Sequence, residues 1–293
     1  MKLGFRAHDF GKFNTASELA RCASSYLESP CLHFAPSKVF RDAASPLTEK
    51  WCENITENLS LCNVKIAVLG VYINPMHPDA EIRESQLSAF ENGLEVAHCM
   101  GNPVVATETG SLDARNIRCE ENFTEKNFSV FLKNIERLLK KAEKNNAVMC
   151  LEAVADKNTV DTPEKMLRVM ETFNSPYLGV LFDAVNILPV SSVTDFHDYY
   201  NSALDMLAKY IKVMHIKDFV MVPSSKEYPF ASGEVKNGAI PAGEGLMDWK
   251  TLFKLYHRYG LDNVPMTLEN FNPATLSESI KYVREAFENA QKP

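Results

Sequence analysis

Eight short apolar runs, each followed by a stretch of helical spacing, most tightly limit what this chain of 293 residues can fold into. The runs are Lys2–Ala7, Cys31–Ala35, Val64–Ile73, Pro103–Thr107, Ala147–Val154, Leu178–Ala184, Ile211–Lys217 and Val264–Glu269. They are rich in Val, Ile, Leu and Phe and lack strict apolar–polar alternation. Strands covered on both faces read this way, because neither side of the pleat meets water. The helical segments are Thr15–Tyr26, Ser45–Leu61, Asp79–Met100, Thr124–Lys144, Thr162–Phe173, Asp198–Tyr210, Asp248–Tyr259 and Thr275–Asn289. Several open on Thr or Asp, whose side-chain oxygen can accept from the free N–H groups of a first turn. Thr15 is followed by Glu18, the spacing of a reciprocal cap. Gly101 and Gly260 fall where two helices stop.

Strand–helix alternation implies a parallel sheet with helices outside it. Eight such units in this length predict a closed (β/α)8 TIM barrel, an α/β fold, as a single domain over residues 1–293. An open doubly wound sheet is the alternative. A dinucleotide fold would need a Gly-rich turn after the first strand, and Lys2–Gly11 supplies only Gly4 and Gly11. One connection stands out. Phe219–Met247 holds Pro223, Pro229, Pro241 and four glycines, and reads as a long loop: a lid, a substrate-contacting segment or a surface insertion.

A net charge of −7 argues against a nucleic-acid partner, whose binders carry a basic face. No run of 18 apolar residues is present, so no membrane-spanning helix is expected. Met1–Phe10 reads as a strand, without the apolar stretch of a signal peptide. The seven cysteines (Cys22, Cys31, Cys52, Cys62, Cys99, Cys119 and Cys150) form no C-x-x-C pair. That usage predicts reduced structural thiols in a cytoplasmic protein.

Charged residues inside apolar strands carry the chemistry. Glu152 lies in Val-Met-Cys-Leu-Glu-Ala-Val and Asp183 in Gly-Val-Leu-Phe-Asp-Ala-Val. His215 lies in Ile-Lys-Val-Met-His-Ile-Lys and Glu269 in Pro-Met-Thr-Leu-Glu-Asn. Each sits near the C-terminal end of its strand, on four consecutive strands. In a barrel those ends form the active-site face, and inward side chains there converge. Three carboxylates in one semi-buried site cannot all ionise without a raised pKa, a basic partner or a cation. One such acid alone would read as a helix cap or ion-pair partner, and a lone His as a core histidine. Together the four form a sensible shell for one divalent metal ion: Mn²⁺, Mg²⁺, Co²⁺ or Zn²⁺.

The four residues lie within ordered motifs: Leu-Glu at 151–152, Phe-Asp-Ala-Val-Asn at 182–186, His-Ile-Lys-Asp at 215–218 and Leu-Glu-Asn at 268–270, with Pro-Ala-Gly-Glu-Gly-Leu-Met-Asp-Trp at 241–249 between the last two. Gly-Val-Tyr-Ile-Asn-Pro-Met-His-Pro at 70–78 joins them. Through these the chain resembles the xylose isomerase-like TIM-barrel superfamily of sugar isomerases and epimerases. The resemblance implies a metal held by Glu152, Asp183, His215 and Glu269, with Glu152 and Glu269 also acting as acid and base. Asn186 stands where some members carry His and others Asn. Lys217 is a candidate sugar contact or a salt-bridged strand end. His33 and Glu108 each interrupt or end an apolar run and are the further substrate-contact candidates. Arg6, His8, Asp9, Tyr72, Asn74 and His77 are weaker leads at the same strand ends. His98, His197 and His257 fall in helices, with surface or packing roles. The superfamily's three-zinc endonuclease branch needs extra histidines, but Asn186 and the His-free segment Phe219–Leu246 do not supply them.

These residues predict proton abstraction beside a carbonyl. A divalent ion chelating two adjacent substrate oxygens acidifies the intervening C–H and stabilises an enediolate. Return of the proton to the same carbon gives epimerisation, and return to its neighbour gives isomerisation. Loss of a hydroxyl would make the protein a dehydratase of a keto-inositol-like substrate, and loss of chemistry would leave a silent sugar-binding barrel. The expected partner is a small carbohydrate, free or phosphorylated, with neither nucleic acid nor membrane. The resemblance is compatible with a homo-oligomer.

Overall fold

The computed structural model describes residues 1–223 and 234–291. All eight expected strands are present, seven trimmed at their ends and the fourth shifted by one residue onto Glu108: β1 (Lys2–Arg6), β2 (Cys31–Phe34), β3 (Lys65–Gly70), β4 (Val104–Glu108), β5 (Met149–Glu152), β6 (Leu178–Asp183) and β7 (Ile211–Ile216), then, after two strands that lie outside the barrel, β10 (Pro265–Leu268). They pair in parallel in the closed order β1-β10-β7-β6-β5-β4-β3-β2. Closure comes from β10, whose Met266 and Leu268 stand opposite Leu3 and Phe5 of β1. A closed barrel has no free edge, so every strand backbone is satisfied by two neighbours.

The helices are α1 (Ala16–Ser24), α2 (Pro36–Val39), α3 (Glu49–Ser60), α4 (Ala80–Val96), α5 (Glu125–Lys144), α6 (Pro163–Phe173), α7 (Ala184–Ile187), α8 (Phe196–Leu207), α9 (Trp249–Arg258) and α10 (Leu276–Ala290). The expected caps hold several starts. Thr15 Oγ1 accepts from Glu18 N at 3.2 Å while Glu18 Oε2 accepts from Thr15 N at 3.3 Å. Asp79, Thr124, Thr162 and Asp248 cap α4, α5, α6 and α9 in the same sense. Three boundaries move. α8 starts at Phe196, so Asp198 lies in its first turn and is not its cap. α3 starts after Thr48, which accepts from Trp51 N, rather than at Ser45. α4 ends at Val96, and Ala97–Met100 tightens into a 3-10 turn that Gly101 closes at φ 78°. α5 shows how the outer layer is built: Phe128, Phe131, Ile135, Leu138, Leu139 and Ala142 recur every three or four residues and are buried.

Inside the barrel lies a separate apolar cluster of Val68, Ala106, Cys150, Leu181 and Val213, one residue from each of β3 to β7. Side chains two residues apart on a strand share a face. Cys150, Leu181 and Val213 therefore fix the inward direction of Glu152, Asp183 and His215, each two residues further toward the C-terminal mouth.

The segment expected as a long loop, Phe219–Met247, contains two paired strands among its described residues. They are β8 (Asp218–Pro223) and β9 (Glu234–Ile240), antiparallel to each other and outside the barrel. Prolines and glycines made the segment read as a loop, but Pro223 only closes the end of β8, where no further ladder donor is needed. Pro229 and Gly233 lie outside the described residues. Asp218 anchors the base: Oδ1 accepts from Met247 N at 2.8 Å and Oδ2 from Gly243 N at 3.1 Å. Among the described residues no helix is long and apolar enough to cross a membrane, and the seven cysteines are unpaired.

Candidate metal and active site

The barrel brings Glu152, Asp183, His215 and Glu269 together at the mouth, all four buried. His215 is the centre. Its Nδ1 lies 3.2 Å from Glu269 Oε1, 3.4 Å from Asp183 Oδ2 and 3.7 Å from Glu152 Oε1. None of these approaches has hydrogen-bond geometry, so Nδ1 is a buried nitrogen in ion-pair range of three acids that makes no hydrogen bond. Buried polar atoms are nearly always paired, and an exception needs an explanation. On the other side of the ring, Nε2 lies 2.8 Å from His33 Nδ1. His33 Nε2 in turn lies 3.3 Å from the Tyr72 hydroxyl. Both nitrogens of His33 thus face protein groups. Gly70 makes room for this ring: a Cβ there would sit 2.4 Å from His33 Nε2.

Two cations compensate the acids. Lys217 Nζ lies 2.7 Å from Asp183 Oδ2, at an angle short of a hydrogen bond, and donates to Glu269 Oε2 at 3.1 Å. Arg6 NH1 lies 3.2 Å from Glu269 Oε1. Arg6 is itself held by Asp9, through Nε at 3.0 Å and NH2 at 2.6 Å, and by Asn270 Oδ1. Asn270 N closes the ring by donating to Asp9 Oδ2 at 2.7 Å. Asp183 Oδ1 accepts from Asn186 N at 2.9 Å, capping α7. That cap aims Asn186 Nδ2 at Glu152 Oε1, 2.7 Å away.

The two glutamates are pushed in opposite directions. Burial raises Glu152, against the pull of His215. Burial also works against the Glu269 carboxylate, but His215, Lys217 and Arg6 outweigh it and hold Glu269 well below the usual range. Burial disfavours the His215 imidazolium, yet Glu269 and Glu152 reverse that and bring it to about 10. His33, buried beside His215, is driven well below its ordinary value.

The other expected site residues are placed less centrally. Glu108 stands opposite Glu152 in register but turns to the rim, accepting from Lys157 Nζ and Asn158 Nδ2, each at 3.1 Å. The structure therefore gathers Lys217, Asn186 and His33 around the four-residue cluster and leaves Glu108 beside it. Sequence reasoning undervalued Arg6 and Asp9, which carry the signal of an inward charged residue at a strand end. It missed Lys236 altogether. From β9, Lys236 donates to the carbonyls of Val185 and Leu188, and Asn270 Nδ2 donates to Gly238 O at 3.0 Å. The strand pair is thereby docked against the mouth, and no local pattern marks such a long-range contact.

The donor set fits a divalent ion. Three carboxylates and one imidazole, with a nitrogen that makes no hydrogen bond turned toward them, are what a hard or borderline cation takes. Glu152, Asp183, His215 and Glu269 could hold it, with His33 orienting the imidazole from behind, as ligating histidines usually require.

Comparison with known proteins places this fold. Over 94% of the chain, the fold matches a xylose isomerase-like TIM barrel protein from Mycobacterium smegmatis in complex with magnesium, covering 89% of that chain at 14% identity and a TM-score of 0.67. It matches a 3-keto-D-glucoside 4-epimerase from E. coli in its apo form over 97% of this chain and 99% of that one, at 14% identity and a TM-score of 0.71. It also matches the probable 3-DHS dehydratase of Bacillus anthracis involved in petrobactin synthesis, over 99% of each chain, at 15% identity and a TM-score of 0.69. At these identities the likeness is one of fold. Among curated proteins no sequence match is found. By sequence, residues 30–288 match the xylose isomerase-like TIM barrel family, and the chain belongs to it.

Proposed function

We propose that the protein is a divalent-metal-dependent sugar isomerase or epimerase that works by moving a carbon-bound proton. One observation carries this reading: His215 Nδ1 makes no hydrogen bond and faces three carboxylates at 3.2–3.7 Å in a buried barrel mouth. A divalent ion held by Glu152, Asp183, His215 and Glu269 would supply Lewis-acid polarisation of adjacent substrate oxygens, which acidifies the C–H between them. The remaining work belongs to the protein. Glu152 ends β5, Glu269 follows β10, and β6 and β7 lie between those strands in the barrel order. The two carboxylates therefore face a sugar in the mouth from different sides. In this reading one glutamate removes the proton and the other returns it. Arg6 and Lys217 hold Glu269 in place, and Asn186 holds Glu152.

Return of the proton to the opposite face of the same carbon inverts that centre, and return to its neighbour exchanges aldose and ketose. Asn186, Lys217 and Glu108 are the proposed contacts for sugar hydroxyls. His33 contributes by fixing the His215 ring. The fold likeness to a 3-keto-D-glucoside 4-epimerase supports proton transfer on a keto-sugar. Likeness to a dehydratase supports a second reading, in which the same carbanion expels a neighbouring hydroxyl. The same four residues serve both.

The test is deuterium uptake. The Mn²⁺-loaded protein is incubated in D₂O with a panel of free and phosphorylated ketoses and followed by NMR. Uptake at one carbon without change of heavy-atom composition is the expected result, and its position separates epimerase from isomerase. Loss of one water identifies the dehydratase. Binding without exchange across the panel overturns the reading and leaves a silent sugar-binding barrel.

A further inference from the structure

We propose that Glu49, His98 and Cys99 form a second metal site, for a thiophilic divalent ion such as Zn²⁺, on the outer wall of the barrel. Glu49 opens α3, and His98 and Cys99 lie in the 3-10 turn after α4. One donor atom from each lies within 4.8 Å of the others. His98 Nε2 is 3.3 Å from Cys99 Sγ and 3.7 Å from Glu49 Oε1. Tetrahedral zinc, with metal–ligand bonds of about 2.0–2.3 Å, sets its ligand atoms about 3.3–3.8 Å apart. The two separations that involve His98 already fall in that range.

The histidine is prepared for the task. His98 Nδ1 lies 2.8 Å from the Glu95 carbonyl. That carbonyl can only accept, so Nδ1 carries the proton and Nε2 presents its lone pair to the cluster. This is how a ligating imidazole is ordinarily oriented. The surroundings also favour a cation. Glu53 and the buried Cys52 project from the same face of α3 as Glu49, at spacings of three and four. A set of one sulfur, one nitrogen and one carboxylate oxygen selects zinc-like ions over Mg²⁺ or Mn²⁺, unlike the oxygen-rich mouth. On binding, the Cys99 thiol gives its proton to solvent, and water fills the fourth position. The site stands independently of the chemistry proposed for the mouth.

Cobalt reports it selectively, since a cobalt–thiolate bond gives a near-ultraviolet charge-transfer band that the cysteine-free mouth cannot produce. Titration of the full chain with Co²⁺ should raise that band, and Zn²⁺ should abolish it. The band should vanish in Cys99→Ser and need about tenfold or more extra cobalt in His98→Gln. Glu152→Gln, which disrupts the mouth, should leave it unchanged. Circular dichroism of each variant guards against a loss that reflects misfolding, and His98→Gln, at an exposed position, is the gentler probe. No thiolate band at saturating cobalt overturns the proposal. So does a band that survives unchanged in a folded Cys99→Ser protein.

Discussion

The barrel interior has two halves made from the same strands and opposite in chemistry. Cys150, Leu181 and Val213 belong to a dry apolar plug. Two residues on, and therefore about 6.6 Å further along the same faces, stand Glu152, Asp183 and His215. Nothing in the backbone distinguishes the two layers. The lower one is stable because it excludes everything polar. The upper one holds at least six charged or titratable groups out of water, and it persists because His215, Lys217 and Arg6 offset the acids. Substitutions should therefore separate function from stability according to layer.

The largest effect is expected from Glu269→Gln, which keeps the shape of the side chain and removes its charge and basicity. Deuterium uptake should fall by about 10²–10⁴-fold with the fold intact by circular dichroism. Full activity in this variant would break the assignment of Glu269 as a proton carrier. Next is Lys217→Met, which removes the buried cation that Asp183 and Glu269 share. Without metal it should cost about 3–5 kcal/mol in denaturant unfolding. Added Mn²⁺ should restore more stability to this variant than to the parent protein. A metal-free Lys217→Met protein as stable as the parent would show that the lysine does not compensate the acids.

In the plug, Leu181→Ala should cost about 2–5 kcal/mol of stability, while activity per folded molecule stays near that of the parent. A loss of turnover out of proportion to unfolding would show that the plug also sets the geometry of the mouth. The smallest effect is a pH trend of the metal-free protein. The His215 imidazolium sits near 10 when folded, against an ordinary 6.5. Its contribution is complete below about 6.5 and is lost as pH rises through 10. Melting temperature in chelator should thus decline over that window, more in the parent than in His215→Asn. Glu269 behaves oppositely: its contribution is present above the ordinary carboxylate range and disappears only when acid protonates the folded form.

The strands and most of the caps were legible in the sequence because they rest on local rules. Buried parallel strands need apolar runs, and helix starts need an acceptor such as Thr15 or Asp79. The four-residue cluster was legible for a related reason: an acid or imidazole in a wholly apolar run has no local justification. The β8–β9 pair was not legible, since its pairing joins Asp218 to Ile240 through a segment rich in turn formers. Arg6 was seen only as a strand end. Its weight comes from Asn270, 264 positions away, and from Glu269, and no window of sequence contains both sides of that contact. His33 is a substrate-contact candidate in the sequence because it breaks an apolar run. The run could not reveal that its neighbour in space is His215.

Gly70 gives the mouth a dependence on something that is not there. The hydrogen at its Cα leaves the hollow that the His33 ring fills, and a methyl group would overlap that ring at 2.4 Å. His33 touches Tyr72 on one side and His215 on the other, so a displaced His33 ring cannot move alone. The orientation of the central imidazole, and with it the size of the opening between three acids, is thus measured out by an empty volume on a strand that contributes no side chain to the chemistry.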